Sequence, residues 1–345
     1  VHNAPPYLFT RNRHQRREDI PMTSPRSAPH SAGLHHITAI AGDPVANARF
    51  YRDVLGLRMV KKTVNFDDPS TYHLYYGDET GTPGTILTFF PWPNAPRGRP
   101  GPGQAVEIGF AIPRASLGFW IDRLQALHIA TEAPVKRFGE TVISFQDPDG
   151  LHLELVATET VEAISGWAGG PVPAEHAIRG FSGQTLWAAK AEPTAQVLET
   201  VFGYRRIAEE GAWQRYEAPG VAAGGLARRI DIRVVGGFPR GSSGAGTIHH
   251  IAFRASDDGA QADMAKALAG LGHQATQQLD RNYFRSVYFR EPGHVLFEIA
   301  TDAPGFGVDE PVETLGQKLQ LPPWLEPHRK AIEAALPPVS AEVVQ

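Results

Sequence analysis

One pattern recurs four times along this chain of 345 residues: a short apolar strand, a helix, then strands that close the unit. A unit of that kind cannot bury its own apolar sheet face, so its copies must pair, and the repeat governs every later inference. The first unit opens at Leu34–Ile40. Asp43-Pro44 then starts a helix, because Asp caps helix N-termini and Pro suits the first helical position. Val45, Ala48, Phe50, Tyr51, Val54 and Leu55 form its apolar side, and Gly56 ends it. Strand-like runs follow at Leu57–Val64, Tyr72–Tyr76 and Thr85–Phe90. A second unit opens at Ala105–Ile112, with a helix over 115–127 and a closing strand at Leu151–Ala157. The third opens at Phe181–Ala188, with a helix after Pro193 ending near Gly203 and strands to Val235. The fourth opens at Thr247–Ala255, with a helix over 260–271 and a closing strand at His294–Ala300. The predicted fold is α+β: four βαβββ modules paired, unit one with four and two with three, into two cupped mixed sheets with helices outside.

Along the chain this gives a domain of two modules over 34–160, a linker over 161–180 around the Gly/Pro-rich run Gly166–Pro173, and a second two-module domain over 181–304. Residues 1–33, with five prolines, a basic cluster at Arg11, Arg13, Arg16 and Arg17 and no apolar period, read as a disordered tail. Met22 is a candidate alternative start. Residues 305–345, with the amphipathic segment Trp324–Leu336, read as a strap packed on the body. The net charge of −4 offers no bulk attraction to nucleic acid or anionic membrane. No run is long and apolar enough for a membrane span, and no secretory signal pattern is present, so the expected location is cytoplasmic. With no cysteine, thiolate chemistry and Cys-held metals are excluded. Any metal must be held by nitrogen and oxygen.

Two His-His pairs stand at the same place in two units: His35-His36 in Leu34–Thr38 and His249-His250 in Ile248–Ala252. A histidine in an apolar strand is more often a hydrogen-bonded core residue than a ligand. The repeated register shifts that balance, because equivalent positions can converge. Neighbours in a strand point to opposite faces, so one member of each pair would face a common site. Glu298, inside the apolar strand Val295–Ala300, costs several kcal/mol unless paired or metal-bound. Its partner would be Arg281 or Arg285, or else a cation shared with the histidines. Two histidines and one carboxylate form the facial triad used by non-haem Fe(II) oxygenases, and Mn(II) fits similar ligands.

The segments His35–Thr38, Tyr72–Tyr76, Gly81-Thr82-Pro83-Gly84-Thr85, Ile248–His250 and Phe297-Glu298 resemble the vicinal oxygen chelate superfamily, and within it the hydroquinone-type ring-cleaving dioxygenases. The resemblance runs from about Leu34 to Phe306. It implies a metal set of His36, His250 and Glu298, most of it in the second domain, binding Fe(II) with Mn(II) as the alternative. It also implies supporting roles for His35, Thr38, His249, Arg281 and Tyr288. A metal there would acidify a phenol beside O2. His249 or Tyr288 would move protons, Arg281 would hold an anionic oxygen, and His35 and Thr38 would orient the ligands. Asn282 stands where such proteins can have Gly. Ala252, on the face of His250, would leave room for substrate, while His249, Ile251 and Phe253 would form the opposite face. The expected function is cleavage of a hydroquinone- or catechol-type ring with O2, the partners a small aromatic diol and O2, with a homo-oligomer an open option. The alternatives are a glyoxalase-type lyase or isomerase and a non-enzymatic small-molecule binder.

Glu107 stands where His250 does and Glu154 where Glu298 does, but unit three has no histidine to match His36. One metal per chain is expected. His73 is balanced between pocket and core, His294 reads as structural, and the run Gly98–Gly103 reads as an exposed connector.

Overall fold

In a computed structural model, which describes residues 30–219 and 226–339, the four repeats pair across the chain rather than along it. Unit one comprises β1 (Leu34–Ala41), α1 (Pro44–Arg49), β2 (Arg58–Asn65), β3 (Asp68–Gly77) and β4 (Ile86–Pro91). Unit two comprises β5 (Gln104–Pro113), α2 (Leu117–Ala126), β6 (Val135–Arg137), β7 (Glu140–Gln146) and β8 (His152–Thr158). Unit three comprises β9 (Gly180–Ala188), α3 (Glu192–Phe202), β10 (Arg205–Glu210), β11 (Trp213–Glu217) and β12 (Arg229–Val234). Unit four comprises β13 (Thr247–Ala255), α4 (Asp258–Gly270), β14 (Leu279–Asp280), β15 (Arg285–Arg290) and β16 (Leu296–Thr301), and α5 (Arg329–Ala335) follows.

Units four and one form one curled sheet, in the order β14-β15-β16-β13-β1-β4-β3-β2, and units three and two form another, β10-β11-β12-β9-β5-β8-β7-β6. The division at 161–180 is therefore one of sequence, and each sheet draws one unit from each side of it. The larger of two apolar clusters runs through both sheets, and α3 is part of its seam: Phe202 stacks on Phe253 of β13 with ring centroids 3.9 Å apart.

Asp43 caps α1 as its type predicts, accepting from the Val45 and Ala46 amides. The helix then tightens into a π-helical turn, Phe50–Val54, before Gly56 turns the chain at φ +70°. Within α1 the buried side is Pro44, Asn47 and Ala48, and Val45 lies off it. It is 53% exposed, contrary to its assignment to the apolar face. The run Gly98–Gly103 is also not a free connector. A Cβ on Gly98 would sit 2.3 Å from Thr247, and one on Gly101 2.3 Å from the Gly241 amide, because this segment pairs with the one entering β13.

Residues 1–29 lie outside the described residues, but Ser31 belongs to the body: it is buried and bonds to the Phe202 and Arg254 carbonyls. The strap over 305–339 lies on unit one. Leu319 bridges to Lys62, the Tyr72 hydroxyl donates to the Pro337 carbonyl, and Trp324 packs edge-on against Phe66.

Candidate metal centre

Strands β1 and β13 run antiparallel at the middle of the first sheet, and their register slips twice. Leu34 pairs with Phe253 and His36 with Ala252, leaving His35 as an extra residue on β1. Thr38 pairs with His250 and Ala39 with Ile248, leaving His249 as an extra residue on β13. Each His-His pair thus sits on a β-bulge, a device that re-aims side chains beside functional sites. The bulge overrides strict alternation. His249 does not share a face with Ile251 and Phe253 as strict alternation predicts; it is exposed and lines the cavity, where a supporting role was expected of it.

His36 from β1, His250 from β13 and Glu298 from β16 converge, all buried. The Nε2 atoms of His36 and His250 are 3.4 Å apart, and Glu298 Oε2 is 3.3 Å from the first and 3.0 Å from the second. Three ligands about 2.1 Å from one cation on a face of an octahedron lie about 3 Å from each other, so this triangle fits a metal ion. Two further observations support that fit. Glu298 Oε2 is buried with no hydrogen-bond partner. Both arginines that could have neutralised Glu298 are engaged elsewhere, Arg281 with Asp67 and Arg285 with Asp258. Burial pushes the Glu298 carboxyl up, but the His36 and His250 imidazoles against it prevail and hold it well below the usual range.

The other ring nitrogens are held from behind. His36 Nδ1 lies 2.9 Å from His35 Nδ1, and His250 Nδ1 lies 2.8 Å from His249 Nδ1. A cation facing each Nε2 would leave the ring proton on Nδ1, where it would donate to the neighbouring histidine. The neighbours must then be neutral. Burial agrees for His35, pushing it well down. Ser286 Oγ donates to Glu298 Oε1 at 2.5 Å.

In front of the triangle lies a cavity of about 340 Å³, lined by Phe90, Trp92 and Phe284 among others, with His249, Tyr288 and Arg281 as polar groups. Arg281 pairs with Asp67 at 3.0 and 3.2 Å across the mouth and lies over the Tyr288 ring. Burial, and then the Glu298 carboxylate, push the Tyr288 phenol well up, so it keeps its proton. Thr38 is buried deeper, 2.8 Å from the Thr88 hydroxyl. From Thr88 a chain of 2.8 Å contacts continues through His73 to the Tyr75 hydroxyl, and both His73 and Tyr75 line the cavity. His294 stands apart from the triangle, at φ +80° in the turn before β16. Ser286 and Asp67 were not singled out from sequence. Ser286 carries a signal in retrospect, two residues before Tyr288 and so on the same strand face.

A model of the Glyoxalase/Bleomycin resistance protein/Dioxygenase superfamily matches residues 33–155. The chain is 49% identical over 306 residues to the "Putative ring-cleaving dioxygenase MhqO" of Bacillus subtilis (strain 168), covering 89% of this chain and 96% of that protein. It is 34% identical over 300 residues to the chlorohydroquinone/hydroquinone 1,2-dioxygenase of Sphingobium indicum, covering 85% and 92%. A crystal structure of a "putative dioxygenase" from Bacillus subtilis superposes with a TM-score of 0.87 at 47% identity, over 92% of this chain and 100% of that one. Glyoxalase I from Zea mays, at 15% identity over 78% of this chain and 92% of its own, shares the fold with a TM-score of 0.57.

Proposed function

The chain belongs to the family of these ring-cleaving dioxygenases, within the glyoxalase superfamily, and we propose that it opens a hydroquinone- or catechol-type ring with both atoms of O2 at an Fe(II) or Mn(II) ion held by His36, His250 and Glu298. The observation that carries the ligand set is the convergence of two Nε2 atoms on a buried carboxylate oxygen that no hydrogen bond satisfies. Such an ion, when bound, acidifies a phenol hydroxyl and couples the ring electronically to O2.

The remaining residues give the pocket its chemistry. Phe90, Trp92 and Phe284 offer apolar walls for a flat ring. The tautomer that lets His249 accept from His250 leaves its Nε2 as an N–H donor. Tyr288 keeps its O–H and Arg281 offers a guanidinium edge. Three donors thus face the space where negative charge develops on the substrate oxygens. Among the described residues no second carboxylate joins the triangle, and the lyase reading would call for one.

The test is anaerobic loading with Fe(II) or Mn(II), followed by O2 and a panel of hydroquinones and catechols. Stoichiometric oxygen uptake with a ring-opened product absorbing in the near ultraviolet is expected. Bound metal without uptake across the panel would overturn the reading.

A further inference from the structure

The second sheet repeats the architecture of the first and carries a different chemistry. Ala252 pairs with His36 and Glu298 in the first sheet, and Gly109 pairs with Gly183 and Glu154 in the second. Glu107 therefore holds the position of His250, Glu154 that of Glu298, and Gly183 that of His36. In front of them lies a cavity of about 730 Å³, larger than the one at the triangle.

Of the four carboxylates that line it, Glu132 is exposed and the other three are engaged, Asp147 by the Tyr51 hydroxyl and the Asp149 and Leu151 amides. Arg137 holds Glu154 through both carboxylate oxygens. The Trp187 indole N–H lies 2.8 and 2.9 Å from the two oxygens of Glu107. Two arginines line it, and Arg233 is the loosely held one. Arg233 lies over the rings of both Trp187 and Trp213, 5.0 Å from each centroid, and its contact with Glu107 is long, 3.5 Å. Arg137 lies over the same Trp213 at 4.4 Å, and its Nε is buried without a partner. Indoles over the faces of a guanidinium orient it and strip its water, while its N–H donors stay in the plane at its edge. Such an edge matches the two oxygens of a carboxylate.

We propose that this cavity is a second binding site, for a planar aromatic carboxylate, with the acid on the Arg233 edge and the ring against Trp187 and Trp213. The site is independent of the metal centre and of the reaction assigned to it.

The same cavity implies a pH dependence. Burial, and then Glu154, push the Glu107 carboxyl up to about 7. The charged groups facing it are Glu154 on β8, Arg137 on β6 and Arg233 on β12, with Trp187 on β9, and Glu132 and Asp147 line the same cavity. His152, in the same cavity, is pushed down by burial. As pH rises through 7, Glu107 gains a negative charge and repels the bound acid, so affinity falls.

Calorimetric titration of the whole protein with 2-naphthoate tests the proposal. One site per chain is expected, weakened at least tenfold by Arg233→Ala and by Trp213→Leu and unchanged by His250→Ala. Affinity should fall several-fold from pH 6 to pH 8, and Glu107→Gln should bind equally at both. If Arg233→Ala does not fold, Arg233→Lys and Glu107→Gln decide. Absence of binding, binding indifferent to the Arg233 and Trp213 changes, or binding lost in His250→Ala would overturn it.

Discussion

His36 and His250 present Nε2 to a shared point, and each is oriented by the residue before it in the chain. Loss of a ligand and loss of its support should therefore differ in kind. His36→Ala, His250→Ala and Glu298→Ala should each lose most bound metal. His35→Ala and His249→Ala should keep it at saturating metal, with affinity reduced about 10–100-fold. Metal analysis beside a binding titration separates the two groups, and the reverse pattern would place the ligands one residue earlier. Ser286 belongs with the supports. Its hydroxyl fixes Glu298 Oε1, so that Oε2 is the atom turned toward the histidines. Ser286→Ala should weaken metal affinity within the same range, and an unchanged dissociation constant would show that packing alone orients the carboxylate.

At the scale of elements, the strap is tied to β2 by a lysine with no exposed surface. Lys61 Nζ donates to Asp309 at 2.6 Å, Glu310 at 2.5 Å and the Phe306 carbonyl at 3.1 Å. Removing one partner of a buried pair typically costs about 3–5 kcal/mol, because the other charge is left uncompensated. Lys61→Met should lower the melting temperature by several degrees and open residues 305–339 to protease, with bound metal retained. Protection equal to the parent would mean that Trp324, Leu336 and Val339 hold the strap unaided. The elements were largely legible in the sequence. The strand and helix signals recur with the repeat, and β13 runs over Thr247–Ala255 as read. The bulges were not, since an extra residue in a strand leaves no mark of its own in composition or alternation. It shows only when the partner strand fixes the register, and so His249 was assigned to the strand face opposite His250. The π-helical turn after α1 escaped for a similar reason: a local change of pitch alters which residues share a face without changing their types.

The molecule as a whole has two sheets of one plan and, among the described residues, one cluster of side chains that could hold a metal. Three changes separate the second sheet from the first. Gly183 stands where His36 does and offers no side chain. Glu107 stands where His250 does, and both its oxygens face the Trp187 indole N–H. Glu154 stands where Glu298 does, and Arg137 occupies both its oxygens. A cation there would have to displace a guanidinium in order to gain two carboxylates and no imidazole, a poor set for Fe(II). In the first sheet Arg281 and Arg285 are drawn away to Asp67 and Asp258, which leaves Glu298 to the histidines. Protein saturated with Fe(II) or Mn(II) and freed of excess should therefore hold close to one equivalent per chain. Glu107→Gln with Glu154→Gln should leave that number unchanged, whereas Glu298→Ala should bring it near zero. Two tightly held equivalents, one of them lost with Glu107 and Glu154, would mean that Arg137 yields its carboxylate to a metal and that the two sheets share more than their fold.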